Sequence, residues 1–251
     1  MTFDATKLYL VKIPKNFQLH EGLLSSLSPA QLSRLSSLST ARQKTYVLGR
    51  RLLLYILQKQ FPNLAAAWEI TERPDLPPLI THPSAPDGIS FSITHSGNWL
   101  GLAVRFSHQQ QANSLGLDIE IVRPTRGIKA AVYFCNDQQL NDLAGVADGF
   151  EQRRQVTRLW TQKEAYFKAI QEAVFNPQLK SLSIVGSGAA GSVGYLYSAS
   201  LDEFSEISVF IRQQSSIDIM SIGIDQCGEF VPVASLSLDW QCRGVQIAKK
   251  R

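Results

Sequence analysis

The chain has 251 residues, 44% of them hydrophobic and 18% charged, with a net charge of +4. That is enough apolar material for one large core or two half-size ones, and no apolar run approaches the ~18 residues of a membrane span. The mild positive balance permits an acidic partner without demanding one, and the dispersed basic residues form no nucleic-acid-binding motif.

In chain order, "MTFDATKLYLVKIPKN" has neither the basic start nor the continuous apolar run of a signal peptide, and "KLYLVKI" (7–13) alternates as a first strand. From Pro29 to about Gln60 the apolar spacing is helical. "SPAQLSRLSSL" opens one helix and "ARQKTYVLGRRLLLYILQKQF" forms a long second one. The proline-rich "RPDLPPLITHPSAPDG" reads as a loop. "ISFSITHS" and "WLGLAVRF" then read as two strands joined by a tight turn at Gly97-Asn98. Polar "SHQQQANS" (107–114) separates them from a further strand, "LGLDIEIV" (115–122). "NDQQLNDLAG" and "EQRRQVTRLWTQKEAYFKAIQEA" predict helices, and from Leu179 onward strand-like segments are broken by Gly and Ser. The order strand, helices, strands occurs roughly twice, with a break near Ser107–Ser114, although no sequence repeat accompanies it. Cys135, Cys227 and Cys242 are odd in number and lack CxxC spacing. This argues for free thiols in a reducing, cytoplasmic setting and against structural zinc.

Three groups of residues carry chemistry. Asp118 and Glu120 lie in an otherwise apolar strand, where unpaired carboxylates are costly. Their alternation puts both on one face, roughly 7 Å apart, with Leu117, Ile119 and Ile121 on the other. Two converging carboxylates suit a hard cation, Mg²⁺ or Mn²⁺ rather than zinc; a strand with one solvated face would need no metal. In "WTQKEAYFKA" (160–169), Glu164 and Lys168 share a helix face. They are either an exposed ion pair or a third oxygen ligand with a counter-charge for an anion, with Trp160, Phe167 and Ile170 seating the helix. His95, between Thr94 and Ser96, is either a plain turn residue or a phosphate contact. Arg50 and Arg73 could add fixed positive charge, and surface solvation is the alternative for one of Arg50 and Arg51.

Together these residues resemble the Sfp-type 4′-phosphopantetheinyl transferases. "GLDIE" and "WTQKEAYFKA" are similar to that family's G-(apolar)-D-x-E and W-(S/T/C)-x-K-E-(A/S)-x-x-K blocks, with Asp118 and Glu164 46 positions apart. "FSITHS" stands upstream where the family has Phe-Asn-x-Ser-His-Ser. Ser92 replaces the asparagine, and Arg73 stands where the family's Gly-Lys-Pro has lysine. The resemblance is specific between about Arg42 and Lys168.

The resemblance implies a pseudo-symmetric α+β monomer of two similar halves, 1–112 and 113–251, with the active site in the cleft between them. It implies transfer of the phosphopantetheine arm of coenzyme A to a serine of an apo acyl or peptidyl carrier protein, releasing 3′,5′-ADP. Asp118, Glu120 and Glu164 would hold Mg²⁺, with Mn²⁺ as a substitute. Glu164, or a water on the metal, would be the base for the serine, and Lys168 would offset charge on the pyrophosphate. Arg50, Arg73, Pro74, Thr94 and His95 fall where the family binds coenzyme A phosphates, joined by Asp118 and Lys168. Lys163 is expected to face nucleotide or solvent. Carrier choice is expected to lie in surface loops and the helix starting near Asn136, and the segment beyond Leu179 to be structural. Two other readings stand beside this one: a different Mg²⁺-dependent enzyme, such as a nuclease, and a non-catalytic carrier-protein binder.

Overall fold

The computed structural model describes residues 5–64, 68–73, 76–81, 88–106, 114–171, 177–225, 227–234 and 236–247. The first segment runs β1 (Thr6–Lys12), α1 (Glu21–Leu24), α2 (Pro29–Ser36), α3 (Thr40–Gln60), β2 (Glu69–Arg73), β3 (Leu76–Thr81), β4 (Ile89–Ser96) and β5 (Trp99–Phe106). The second runs β6 (Leu115–Ile121), α4 (Ile128–Ala131), α5 (Asp137–Ala144), α6 (Gly149–Ile170), β7 (Leu182–Gly186), β8 (Gly194–Asp202), β9 (Ser205–Ile211), β10 (Ile217–Ile224), β11 (Phe230–Pro232) and β12 (Gln241–Ile247). The protein is therefore α+β. The break suggested near Ser107–Ser114 lies, apart from Ser114, outside the described residues.

Two five-stranded sheets organise the chain, in the orders β11-β10-β1-β5-β4 and β6-β9-β8-β12-β7, beside the small β2-β3 ribbon. In both, a strand followed in sequence by a long helix (β1 then α3, β6 then α6) pairs antiparallel with the second strand of a later hairpin, β4-β5 or β8-β9. The first sheet is completed from far along the chain. β10 pairs parallel with β1, Thr6 opposite Ile217, and β11 pairs with β10.

Alternation along β1 shows how the layers stack. Tyr9 and Val11 belong to a core beneath α3 with Leu48, Leu52, Leu100 and Val104. Leu8 and Leu10 join Ala103, Leu117, Ile119, Ile207 and Val209 in a second core between the sheets. A third core lies under α6, built from Val156, Ala165, Phe167, Leu196 and Phe210. Each buried Leu, Ile, Val or Phe among these contributes about 1.5–3 kcal/mol. α2 opens on a capping box from Ser28 and Gln31 with Pro29 in its first turn. The two helices read between Pro29 and Gln60 are α2 and α3, whose caps meet at Ser37–Ser39. No helix is long and apolar enough to cross a membrane among the described residues.

One expectation is corrected here. Part of the proline-rich loop is β3, paired with β2 from Glu69↔Thr81 to Arg73↔Leu76 across a bulge. A two-stranded ribbon is all edge, so its prolines remove few ladder hydrogen bonds.

Candidate active site

The site lies where β6 meets α6 on one side and β4 on another. α6 comes so close to β6 that a Cβ on Gly116 would stand 1.8 Å from the Ala165 carbonyl oxygen. Only glycine allows that approach, and it brings Glu164 and Lys168 of α6 over Asp118 and Glu120 of β6. Phe167 and Ala165, both fully buried, pack the helix down.

β6 is the edge strand of its sheet, and its outward amides are met by side chains rather than by another strand. Ser92, Thr94 and Ser96, on one face of β4, accept from the N–H groups of Leu117 (3.0 Å), Ile119 (3.3 Å) and Ile121 (3.1 Å). The same hydroxyls hold the acids. Thr94 Oγ1 donates to Asp118 Oδ1 at 2.9 Å, and Ser96 Oγ donates to Glu120 Oε2 at 2.9 Å. This seam removes the one-solvated-face reading of the strand, since Asp118 is 2% exposed.

One oxygen from each of Asp118, Glu120 and Glu164 lies within 4.8 Å of the others. Lys168 Nζ donates to Asp118 Oδ1 at 2.7 Å and to Thr94 Oγ1 at 3.3 Å, and stands 3.9 Å from Glu164 Oε1. Burial pushes the Asp118 carboxyl up to about 8, with Glu164 and Glu120 adding to the rise against the pull of Lys168. Burial also works against the Lys168 ammonium, but Asp118 and Glu164 outweigh it and raise its pKa, so it stays cationic. Asp118 Oδ2 is buried without a hydrogen-bond partner. A buried, unpartnered carboxylate oxygen beside two further carboxylates is a donor set suited to Mg²⁺ or Mn²⁺, and a bound cation reverses the pressure towards protonation. The three acids therefore fit the metal that the sequence implies.

The remaining sequence-predicted residues divide. Thr94 is in the cluster. His95, next along β4, takes the opposite face and is exposed. Crowding by the protein around its ring, then the charges of Lys168 and Arg42, hold its pKa below the usual histidine value. Arg50 is not brought to the carboxylates. Its guanidinium forks onto Glu72 at 2.7 and 3.0 Å and lies 4.7 Å from the centroid of the Tyr46 ring. Burial alone would raise the Glu72 carboxyl; Arg50, then Tyr46, hold it below its ordinary value. Arg51 is engaged too, with Glu229 at 2.9 Å. Arg73 ends β2, half-buried, and Pro74 lies outside the described residues. Lys163 faces neither nucleotide nor solvent: it is fully buried, donating to the carbonyls of Leu179 (2.6 Å) and Leu182 (3.1 Å).

Sequence reasoning missed the supporting groups. Beyond Ser92 and Ser96 these are Arg126, 3.3 Å from Glu120 Oε2, and a polar layer between α6 and the second sheet. In that layer Ser208, opposite Asp118, contacts Thr161 at 2.9 Å. Glu206, opposite Glu120 and fully buried, is clamped by Arg154 and Arg158 at 2.7 Å each. The alternating hydroxyls of "SFSITHS" were the available signal for the seam: Ser90, Ser92, Thr94 and Ser96 are all buried.

Fold and site together define an α+β protein with a cluster of three carboxylates, a candidate cation site, at the junction of two sheets. The model of the 4′-phosphopantetheinyl transferase superfamily matches residues 114–213, the stretch from β6 to β9 that includes all three acids. Over this segment the chain is similar to that superfamily. It is also similar to the 4′-phosphopantetheinyl transferase HetI of Nostoc sp. (strain PCC 7120), 31% identical over 99 residues. That alignment covers 39% of this chain and 39% of the relative's own length.

Proposed function

We propose that the protein transfers the 4′-phosphopantetheine arm of coenzyme A to a serine hydroxyl of an apo acyl or peptidyl carrier protein, in a Mg²⁺-dependent reaction. The observation that carries this reading is the convergence of Asp118, Glu120, Glu164 and Lys168 within the segment that matches the superfamily. In the reaction the serine oxygen forms a bond to the β-phosphorus, the bond from that phosphorus to the bridging oxygen breaks, and 3′,5′-ADP leaves. The serine proton must go to a base.

When bound at Asp118, Glu120 and Glu164, a divalent cation supplies charge neutralisation for the diphosphate. Glu164 is the proposed base. Its side chain is 17% exposed, so an incoming hydroxyl can reach it, and its carboxylate takes the proton. Lys168, kept charged by its neighbours, offsets the charge that builds on the leaving diphosphate oxygen. Thr94 holds Asp118 and Lys168 in register. His95 and Arg73, with Pro74 beside it, are the proposed contacts for the outer phosphates of coenzyme A. Arg50 acts through its fork on Glu72, which steadies the strand ending at Arg73. Segments 1–112 and 113–251 would form the two walls of the coenzyme cleft. A reducing cytoplasm fits the three free cysteines, and a monomer suffices because all four groups come from one chain.

The test is intact-mass spectrometry of an apo acyl carrier and an apo peptidyl carrier incubated with the protein, coenzyme A and Mg²⁺. A phosphopantetheine mass gain is expected on at least one carrier, and it disappears with EDTA or Asp118→Ala. Absence of coenzyme A binding would sink the transferase reading, and a gain that survives Asp118→Ala would sink the metal assignment.

A further inference from the structure

The three carboxylates are not equally available. Asp118 Oδ1 is taken by Lys168 and Thr94, while its Oδ2 is buried without a partner. Both oxygens of Glu120 face a cation already in the chain. Arg126 Nη2 donates to Oε1 at 3.4 Å, and Arg126 Nη1 stands 3.3 Å from Oε2. Ser96 also donates to Oε2. Arg126 lies in the loop between β6 and α4, its side chain is 19% exposed, and its guanidinium lies 5.6 Å from the centroid of the Trp160 ring. Arg123 reaches the same carboxylate only at 4.0 Å, from a side chain 52% exposed.

Nη2 makes the one hydrogen bond and Nη1 meets Oε2 only as a charge contact, yet a carboxylate faced at both oxygens by a guanidinium cannot turn the same lone pairs to a metal ion. The Glu120–Arg126 contact must open for Glu120 to act as a ligand. The indole face of Trp160 provides a second place where the guanidinium is stabilised, through cation–π attraction. The contacts are longer than those of a locked fork, such as Arg50 on Glu72 at 2.7 and 3.0 Å, which suits a pair built to open.

We propose that Arg126 is a displaceable counter-ion of the metal site: it neutralises Glu120 until a divalent cation takes that carboxylate, and then rests on Trp160. This rests on the metal reading above. It makes Arg126 a positioning residue that sets how readily the cation enters and keeps Glu120 from repelling Glu164 and Asp118 in the meantime.

The experiment is Mn²⁺ titration of the full chain followed by electron paramagnetic resonance, with wild type, Arg126→Gln, Arg126→Lys, Arg123→Gln and Asp118→Ala. Arg126→Gln is expected to bind Mn²⁺ about five-fold more tightly, the size of effect a partly exposed ion pair allows. Arg126→Lys, which keeps the charge but cannot span both oxygens, should fall between it and wild type. Arg123→Gln should stay within about two-fold of wild type because its charge is more solvated, and Asp118→Ala should not bind. Circular dichroism checks that each variant is folded, and Arg126→Lys carries the comparison if Arg126→Gln is not. Equal or weaker binding by the Arg126 variants, with Asp118→Ala still inactive, would overturn the counter-ion assignment and leave the metal reading intact. Equal tightening by Arg123→Gln would overturn it as well, reducing the effect to general charge. If no folded form binds Mn²⁺ even with coenzyme A present, the metal reading falls and takes this assignment with it.

Discussion

Lys163 and Glu164 are adjacent in sequence and opposite in fate, which shows how much a single step of 100° around a helix decides. Glu164 faces the carboxylate cluster, whereas Lys163 is driven into the core, where two carbonyl oxygens accept from it. Burial lowers the Lys163 pKa to about 8, against a small opposing contribution from Cys135. The consequence for stability has a definite sign. Between about 8 and the ordinary value of 10.5, the unfolded chain holds a proton that the folded chain has released, so this residue's contribution to stability increases as pH rises through that window. Relative to Lys163→Met, wild type should gain about 2 kcal/mol between pH 7 and pH 9.5 in urea unfolding. Parallel pH profiles for the two proteins would refute the assignment. At Glu164 itself the expected loss is catalytic rather than structural. Glu164→Gln should fold with near wild-type stability and lose about 10²–10⁴-fold in transfer rate if it is the base, read by the mass assay at saturating Mg²⁺. A rate within ten-fold of wild type would assign the base elsewhere.

The seam between β4 and β6 shows what an element can do that its residues cannot do singly. An edge strand has a row of unpaired amides; here three hydroxyls at alternate positions cover them and, in the same geometry, fix two of the three acids. Thr94→Val keeps the shape but leaves the buried Ile119 N–H without an acceptor. It should cost about 1–3 kcal/mol, measured by urea unfolding, and weaken Mn²⁺ binding because Asp118 loses one of its anchors. A neutral substitution would mean that water replaces the hydroxyl. Gly116→Ala tests the other contact of β6. The added carbon has nowhere to go against Ala165, so α6 must lift, costing about 3 kcal/mol and moving Glu164 and Lys168 away from β6. These two contacts also mark the limit of what the sequence made legible. Helices α2, α3, α5 and α6, the β4-β5 hairpin and the convergence of Asp118, Glu120, Glu164 and Lys168 followed from period and motif, because periodicity is local and the motif is contiguous. The role of Ser92 and Ser96, and the pairing of Arg50 with Glu72, depend on which element meets which. β3 was hidden because proline content outweighed the pairing that a ribbon edge permits. β10 was legible as a strand, but nothing local says that it pairs with β1 more than 200 residues earlier.

At the scale of the whole molecule, the site ties together parts that fold from distant sequence. Its acids come from β6 and α6, its hydroxyl anchors from β4 in the other sheet, and that sheet is itself completed by β10 and β11. Burying Asp118 in such a junction, and to a lesser degree placing Glu164 and Glu120 beside it, disfavours its charged form and raises its pKa. A cation that binds only the assembled junction should therefore stabilise the fold by mass action. At ten times its dissociation constant, Mg²⁺ would contribute about 1.4 kcal/mol, roughly 3–5 °C in Tm for a chain of this length. Differential scanning fluorimetry with and without Mg²⁺ reads this directly. NaCl at matched ionic strength should give much less, because the net charge of +4 is small and general screening has little repulsion to relieve. Asp118→Ala removes the most deeply buried acid of the three and should abolish the Mg²⁺ shift while leaving the response to NaCl unchanged. An equal Mg²⁺ shift in wild type and Asp118→Ala would place the ion on surface acids. No shift in wild type at any Mg²⁺ concentration would mean that Lys168 and Arg126 already satisfy the site, so that the cation arrives only together with the diphosphate. Repeating the scan with coenzyme A present separates that case from the absence of a metal site.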